Sequence, residues 1–271
     1  MYLAYYNLSY AKNKVKTFKY LDSLYQNFAK AATRRFELGE TNYLEMLTAK
    51  SKQKQLETFY KQAEQDVVLM AELLKKVVQV DSLFVIDESL VRLKLASVST
   101  KENAGLLYFE DSKNYYKALY RKEKQNLLPD ISLEYFQGSN TGLKTNLKGY
   151  QFGIKIPLFF NGNSTKIKAS KIAKVIVAEE QENYKVKLNS EYKVLLAKLQ
   201  QYNEAINYYQ TQGKKLSKEI IKTAQRTFIE GEIDFFKYIQ SIETGKEIEL
   251  VYLENLNLYN QTIIKINYLT L

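Results

Sequence analysis

The side chains in this chain that could do chemistry are carboxylates, lysines and hydroxyls. The 271 residues contain no histidine and no cysteine, which excludes His-based triads, thiol nucleophiles, zinc sites built from His or Cys, and disulfides. The paired carboxylates Glu179 and Glu180, and the single Asp234, come with neither a glycine-rich phosphate loop nor the spacing of metal ligands. We therefore expect no enzyme, no cofactor and no metal site; an enzyme that uses paired carboxylates is an alternative.

The net charge of the chain is +10, from 40 Lys and Arg against 30 Asp and Glu. A balance of this kind raises the question of nucleic-acid binding. Lysines and glutamates are interleaved along the helical segments, as between Lys50 and Glu64, which is typical of solvated helix faces. We therefore expect no nucleic-acid partner. The densest basic run, from Lys166 to Lys174, suggests contact with the anionic head groups of a membrane surface.

Two segments alternate with the two-residue period of a β-strand, residues 130–137 and 149–156, and they are bracketed by Pro129 and Pro157. In the second segment the apolar residues share one face, and Lys155 falls on the other. A lysine on the lipid side near the midplane of a membrane costs about 2 to 4 kcal/mol, so Lys155 must face a lumen if this hairpin lies in a bilayer. The pattern therefore suggests a pore wall.

Helical periodicity covers most of the remaining chain. It predicts a helix over residues 1–33 that ends near Phe36, and a shorter one from about Lys101 to Gln125. A long helical pattern follows the strands from Gly162 to Gly213 and continues to about Arg226. Three coiled-coil seams are predicted, at Leu56, Tyr60, Ala63, Val67, Met70, Leu74 and Val77; at Ala173, Val177, Glu180, Tyr184 and Leu188; and at Phe235, Tyr238, Ile242, Tyr252, Leu256, Tyr259, Ile263 and Ile266.

An internal repeat is the strongest sign of organisation. The segment RRFELGETNYLEML at residues 34–47 is echoed by RTFIEGEIDFFKYI at residues 226–239. The matched positions are Phe36 with Phe228, Gly39 with Gly231, Glu40 with Glu232, Asn42 with Asp234 and Tyr43 with Phe235. A glycine in the left-handed conformation ends one helix, and Asn or Asp caps the next. Any helix-turn-helix needs a glycine and a cap, but the further matches exceed that need and favour duplication.

These motifs resemble the TolC-like family of outer-membrane efflux channels. FELGETNYLEMLTAK is similar to the first periplasmic turn of that family, and FIEGEIDFFKYIQS to the second. LPDISLEYFQG and GYQFGIKIPLFFNGN resemble its second membrane hairpin and the exit into the tunnel helix. The channel components of heavy-metal efflux systems of the resistance-nodulation-division (RND) type, for copper and silver or for cobalt, zinc and cadmium, are the nearest in character.

The resemblance implies a mainly α fold, in which long antiparallel coiled-coil hairpins form an α-barrel tunnel and one β-hairpin contributes to a trimeric transmembrane β-barrel. The expected segments are a partial first repeat at 1–80, an irregular segment and short helix at 81–128, the membrane hairpin at 129–161 and the second tunnel hairpin at 162–271. A whole family member has two such repeats, each with a membrane hairpin, and only the second hairpin is found here. We therefore expect an N-terminally truncated chain in which Met1 is internal; residues 1–30 show no apolar leader segment.

The resemblance also implies function. We expect a homotrimer in the outer membrane of a Gram-negative bacterium, with a periplasmic extension. It would export metal ions or small toxic compounds passively, together with a periplasmic adaptor protein and an inner-membrane RND pump. The expected adaptor-contacting turn residues are Leu38, Gly39, Glu40, Thr41, Glu230, Gly231, Glu232 and Ile233. In a trimer Glu40, Glu232 and Asp234 would form an acidic entrance ring, although capping of the next helix also explains acidic residues at these positions.

The aromatic residues around the strands are expected to form the girdle that anchors a barrel in outer-membrane lipid. They are Tyr135, Phe136, Tyr150, Phe152, Phe159 and Phe160. An ordinary β core would use the same residue types. The main alternative for the whole chain is a soluble coiled-coil scaffold or adaptor protein, which accounts for the heptads but not for the two unlike faces of the hairpin.

Overall fold

The computed structural model describes residues 1–82, 90–96, 103–140, 142, 145–156 and 161–269. The helices are α1 (Tyr2–Glu37), α2 (Tyr43–Val78), α3 (Ala104–Gln125), α4 (Asn161–Tyr208), α5 (Lys214–Ile229) and α6 (Phe235–Leu269). The strands are β1 (Asp130–Asn140) and β2 (Thr145–Lys155), and a π-helical turn, Tyr209–Gly213, joins α4 to α5. The mainly α fold with one β-hairpin, predicted from the sequence, is confirmed.

The chain divides into two compact units. The first is formed by residues 1–98 and 192–269, and the second by residues 99–191. Among the helices of the described residues, none combines the length and the apolar character needed to cross a bilayer.

In the first unit the helices form an array in the order α2, α1, α6, α5, in which α1 packs against α2 and α6, and α6 packs against α5. Phe28 of α1 is central to the interface with α6. Its ring meets the rings of Phe235 and Tyr238 edge to face, with centroids 5.4 Å and 4.9 Å away, and Phe228 of α5 stacks on Tyr238 at 4.6 Å. Aromatic pairs of this geometry add about 0.5 to 1.5 kcal/mol each beyond the area that they bury.

The predicted seams of α2 and α6 are the buried faces of these helices. In α2, Leu56, Ala63 and Leu74 are buried, whereas Val77 at the C-terminal end is exposed. Most seam residues of α6 are buried as well. The predicted seam of α4 is buried at Val177 and Leu188. It differs from the prediction at one position, where Glu180 is exposed and its neighbour Gln181 is buried instead.

A second core cluster of the first unit holds an extended segment, residues 90–96, against the helices. Ile206 of α4 packs there with Leu256, Tyr259 and Ile263 of α6, and Leu90 and Leu93 of the extended segment cover them. This cluster fixes the position of a segment that has no regular secondary structure of its own.

The second unit contains α3, the hairpin and the N-terminal part of α4. The Tyr184 hydroxyl of α4 donates a hydrogen bond of 3.0 Å to Oδ1 of Asn103, the residue that caps α3. Gln181 Nε2 donates to the Glu110 carboxylate at 3.3 Å, and the ring of Phe109 lies 5.3 Å from that of Tyr184. These contacts join α3 and α4 side by side below the hairpin.

The hairpin is a two-stranded antiparallel sheet. Its register pairs Asp130 with Lys155 at the base, Leu133 with Phe152 in the middle, and continues to Asn140 opposite Thr145. Each strand has 11 residues, which is the length that a tilted transmembrane strand requires, about 9 to 11 residues.

Candidate functional site

The turn between α1 and α2 ends α1 with a Schellman motif. Gly39 has φ +73°, and its N–H donates to the carbonyl oxygen of Phe36 at 3.0 Å. The N–H of Glu40 donates to the carbonyl oxygen of Arg35 at 2.8 Å. Two carbonyls that the helix would leave unpaired are thus satisfied by the turn, and glycine is needed because other residues rarely adopt this backbone conformation.

The turn between α5 and α6 repeats this geometry bond for bond. Gly231 has φ +76° and donates to Phe228 at 3.2 Å, and the N–H of Glu232 donates to Thr227 at 2.9 Å. The predicted pairing of the two glycines in one internal repeat therefore holds at the level of individual hydrogen bonds.

The next helix at each turn begins at the predicted cap. Asn42 Oδ1 accepts a hydrogen bond from the backbone N–H of Glu45 at 2.9 Å, and Asp234 Oδ1 accepts one from the N–H of Lys237 at 2.8 Å. A side-chain oxygen at this position satisfies one of the four donors that every helix start leaves unpaired.

The two turns differ in their surfaces. At the first turn Leu38 is 63% exposed and Tyr43 is 60% exposed. At the second turn the residue that matches Tyr43, Phe235, is 4% exposed because it packs into the aromatic core, and Ile233 is half-buried. Ile229, just before the second turn, is 84% exposed, so both turns offer apolar surface to a partner through different positions.

The acidic residues of the turns have different surroundings. The carboxylate of Glu40 lies 3.8 Å from the Arg35 guanidinium, which also lies 3.7 Å from Glu45. Glu45 in turn accepts a hydrogen bond from the Thr41 hydroxyl. Glu232 is exposed, and Asp234 is occupied as a helix cap. Of the three predicted ring residues, Glu40 is next to an arginine and Asp234 caps a helix, whereas no such contact within the described residues accounts for the carboxylate of Glu232.

The hairpin has two unlike faces. Ile131, Leu133 and Tyr135 of β1 lie opposite Ile154, Phe152 and Tyr150 of β2, and these six side chains form one exposed apolar face. Phe152 is the most exposed of them, at 77%. A surface of this kind is unfavourable in water, and it suits contact with lipid or with another protein.

Of the predicted girdle residues, Tyr135, Tyr150 and Phe152 are together on the apolar face. Phe136 is on the opposite face, where it lies across from Gly149; a Cβ atom at Gly149 would come within 2.4 Å of its ring. Phe159 and Phe160 lie outside the described residues. The girdle as a whole stays a prediction. Because alternate residues of a strand point to opposite faces, Phe136 does not share a face with Tyr135, Tyr150 and Phe152.

Between the base of the hairpin and the pair Phe136–Gly149, the other residues on the face that carries Phe136 are polar or small. This face contains Glu134 opposite Gln151 and, at the base, Asp130 opposite Lys155. Lys155 is therefore on the face opposite Ile154 and Phe152, as the alternation of β2 predicts. That this face borders a lumen stays a prediction.

Sequence reasoning missed a polar cluster that joins three helices of the first unit. Lys52 Nζ of α2 lies 3.1 Å from the Glu243 carboxylate of α6. Tyr25 of α1 is fully buried, with the Glu243 carboxylate near its hydroxyl. Burial, with the nearby Glu243 carboxylate, raises the pKa of Tyr25 well above its ordinary value. No sequence signal would find this cluster, because its members are far apart in the chain.

A second missed group clamps the extended segment. Asn260 of α6 is 0% exposed, its Oδ1 accepts from the N–H of Leu93 at 2.8 Å, and its Nδ2 donates to the carbonyl oxygen of Val91 at 2.8 Å. Arg92 between them donates to Asn203 Oδ1, and its guanidinium lies 4.7 Å from the centre of the Tyr259 ring. The sequence contained one sign of this clamp: Asn260 is a polar residue within the apolar seam of α6.

Solved structures of outer-membrane channels share this fold. CmeC of Campylobacter jejuni aligns with a TM-score of 0.77 at 14% identity, over 99% of this chain and 61% of its own. VceC of Vibrio cholerae gives 0.79 at 13% identity, over 98% and 66%. The open state of MtrE of Neisseria gonorrhoeae gives 0.74 at 14% identity, over 99% and 64%. This chain thus spans less than two thirds of the length of each channel.

The sequence matches neither a protein-family profile nor a curated protein. Within the described residues there is no group of three or more acidic side chains that could hold a metal ion. The structural similarities establish the fold: long helical hairpins with a β-hairpin, as in outer-membrane channels.

Proposed function

We propose that this chain is a subunit, or part of a subunit, of an outer-membrane channel of the TolC-like family, and that it provides a passive conduit in a tripartite efflux system. The observation that carries the proposal is the two-faced hairpin: three pairs of exposed apolar residues on one side, and polar, charged or small residues together with Phe136 on the other. Lipid covers the first face and water in the lumen covers the second.

Three copies of the chain complete the channel in this proposal. A hairpin of two strands has two outer edges whose backbone groups need partners, and a bilayer offers no water to supply them. Neighbouring copies would provide these partners by closing one barrel. The helical array has a comparable open side at α2, where exposed apolar residues form a stripe that a second copy would cover. They are Val68, Leu69, Leu73 and Val77.

The two turns are proposed to contact a periplasmic adaptor. Leu38, Gly39, Glu40 and Thr41 form one contact, and Glu230, Gly231, Glu232 and Ile233 form the other. The support is their position at the ends of two helical hairpins, together with the exposed Leu38 and Tyr43 of the first turn. An inner-membrane RND pump would drive transport, and the outer membrane of a Gram-negative bacterium would be the location.

The exported compounds are proposed to be metal ions or small toxic compounds. The motif resemblance to the channels of heavy-metal systems supports this subtype. The chain has no histidine and no cysteine, and three methionines are the soft ligands that it offers to such metals. Selection of the substrate would therefore lie in the pump rather than in the channel.

The test compares two lysine substitutions at neighbouring positions of β2. Phe152→Lys places a charge on the face proposed to contact lipid, where it costs up to about 2 to 4 kcal/mol, the value at the bilayer midplane. Gln151→Lys places the same charge on the lumen face at little cost. The full chain and both variants are reconstituted into phosphatidylcholine vesicles. Protection of the hairpin from added protease reports insertion, and native mass spectrometry reports the trimer.

We expect the wild-type chain and Gln151→Lys to insert and Phe152→Lys to stay accessible to protease. Equal behaviour of the two variants would contradict the assignment of the faces. A wild-type chain that remains monomeric and outside the vesicles would favour a soluble coiled-coil scaffold instead.

A further inference from the structure

A dense group of positive charges lies on both sides of the hairpin base, and all of its side chains are exposed. The last nine residues of α3 contribute four, and the first fourteen of α4 contribute four. We call this group the basic collar, and it consists of Lys117, Arg121, Lys122, Lys124, Lys166, Lys168, Lys171 and Lys174.

Few acidic residues balance the basic collar. Residues 161–178 contain four lysines and no Asp or Glu, and the first turn of α4 has no acidic residue. The helix dipole acts within the first and last turns, so it favours Lys122 and Lys124 at the end of α3. The lysines of α4 begin at its sixth residue, beyond the first turn, and the helix dipole gives no reason for them.

The fold holds these charges close together. Asn163 Nδ2 of α4 donates a hydrogen bond of 3.2 Å to the carbonyl oxygen of Asn126, directly after α3. Lys124 of α3 and Lys174 of α4 both lie over the ring of Tyr120, at 5.2 Å and 5.9 Å from its centre. Within the part of the chain that the structure describes, no collar residue forms an ion pair with an acidic side chain.

The basic collar lies next to the apolar face of the hairpin, which indicates the kind of anion that it would meet. The first apolar pair of the hairpin is Ile131 opposite Ile154, one residue from the strand ends at Asp130 and Lys155. α3 ends at Gln125, just before β1 begins. If the apolar face contacts the hydrocarbon of a bilayer, the collar residues nearest the hairpin, Lys124 and Lys166, are level with the lipid head groups. Lys117 and Lys174 lie about 10 to 12 Å further along the helices, at 1.5 Å per residue.

We propose that the basic collar binds the phosphates of anionic phospholipids in the leaflet nearest to the helices, and that it sets the depth of the hairpin in the bilayer. This inference rests on the proposed membrane insertion of the hairpin. Lysine ammonium groups within reach of an anionic surface are attracted to it, and the attraction falls away over a Debye length, about 8 to 10 Å at physiological salt.

The test measures the binding of the full chain to vesicles of phosphatidylcholine alone and of phosphatidylcholine with phosphatidylglycerol in equal parts, by flotation. The variant K166Q/K168Q/K171Q/K174Q removes the α4 half of the collar. The matched control, K214Q/K215Q/K218Q/K222Q, removes four exposed lysines from α5. We expect the wild type and the control to prefer the anionic vesicles, and the collar variant to lose this preference by at least about tenfold.

Equal loss in both variants would show that net charge alone is responsible, and would overturn the proposal, as would a collar variant that keeps its preference. Protease protection of the hairpin in phosphatidylcholine vesicles reports insertion separately, so failure of the basic collar is distinguishable from failure of the channel proposal. Preference for isolated peptidoglycan over anionic vesicles, measured by co-sedimentation, would assign the basic collar to the cell wall and also overturn the lipid assignment.

Discussion

Lys52 and Glu243 are separated by 191 residues in the chain, and the lysine nitrogen lies 3.1 Å from the glutamate carboxylate. The pair connects α2 of the first helical hairpin with α6 of the second, across α1. Both side chains are a little over one third exposed, so solvent screens the interaction.

We expect this pair to couple the two helical hairpins weakly. In a double-mutant cycle with Lys52→Gln and Glu243→Gln, the coupling should be about 0.2 to 1 kcal/mol and should shrink at high salt. Chemical denaturation measures it. The exchanged pair, K52E/E243K, should recover part of the loss. A coupling that is zero at low salt would show that the contact makes no contribution.

The two turn glycines should resist substitution because of backbone conformation alone. Gly39 and Gly231 have positive φ, and a Cβ atom at either would meet nothing within 4 Å. Gly39→Ala and Gly231→Ala should therefore each lower the unfolding free energy by about 1 to 2 kcal/mol. Gly162→Ala is the control, because its site in α4 is equally open and its φ is ordinary for a helix.

Thermal or chemical unfolding of the three glycine variants gives the comparison. Alanine favours a helix over glycine by up to about 1 kcal/mol, so Gly162→Ala should be neutral or stabilising. Destabilisation by all three variants to the same extent would contradict the role of the left-handed conformation.

Asn260 should be required to hold residues 90–96 in place. Asn260→Ala leaves the N–H of Leu93 and the carbonyl oxygen of Val91 without their partner, at a cost of about 1 to 3 kcal/mol for a buried group. Limited trypsin digestion should then cut faster after Arg92. Asn255→Ala is the matched control on the same helix, since among the described residues the Asn255 amide donates only to the carbonyl oxygen of Val251, within α6.

The proposed acidic entrance ring predicts a change in ion preference. Glu232→Gln should lower the ratio of cation to anion permeability of the channel in planar bilayers. Asp234→Asn should leave the ratio and the stability nearly unchanged, because asparagine also caps a helix and the role of Asp234 is to accept the Lys237 N–H. An unchanged ratio in Glu232→Gln would remove Glu232 from any role in selectivity.

The buried Tyr25 should make the protein less stable in alkali. Its pKa is raised above the ordinary value of 10.0, so the folded state keeps the proton longer than the unfolded state does. The contribution to stability is complete below about pH 10 and falls as the pH rises further. Tyr25→Phe should flatten this decline, whereas Tyr43→Phe at an exposed position should not, in chemical denaturation at a series of pH values.

Local geometry was predictable from the sequence, and contacts between distant segments were not. The conformation of Gly39 and Gly231 and the caps at Asn42 and Asp234 depend on four or five neighbouring residues, so the motif contains all the information. The Lys52–Glu243 pair and the clamp at Asn260 depend on how the helices are arranged, which periodicity alone does not specify.

Residue type was also a weaker guide than position in the strand. The aromatic girdle was predicted from composition and included Phe136 with Tyr135. In the structure these two adjacent residues lie on opposite faces of β1, and only Tyr135 shares a face with Tyr150. The alternation along the strand contained this distinction, since neighbouring residues of a strand always point to opposite sides.

The π-helical turn Tyr209–Gly213 affects how the two halves of the chain should be compared. Such a turn contains one residue more than a turn of α-helix, and α1 is α-helical from Tyr2 to Glu37. The numbering offset that relates Gly39 to Gly231 therefore applies only to residues after this turn. An alignment of the two halves therefore needs a one-residue gap at this turn. Without the gap, the residues of α4 would be paired with the wrong residues of α1.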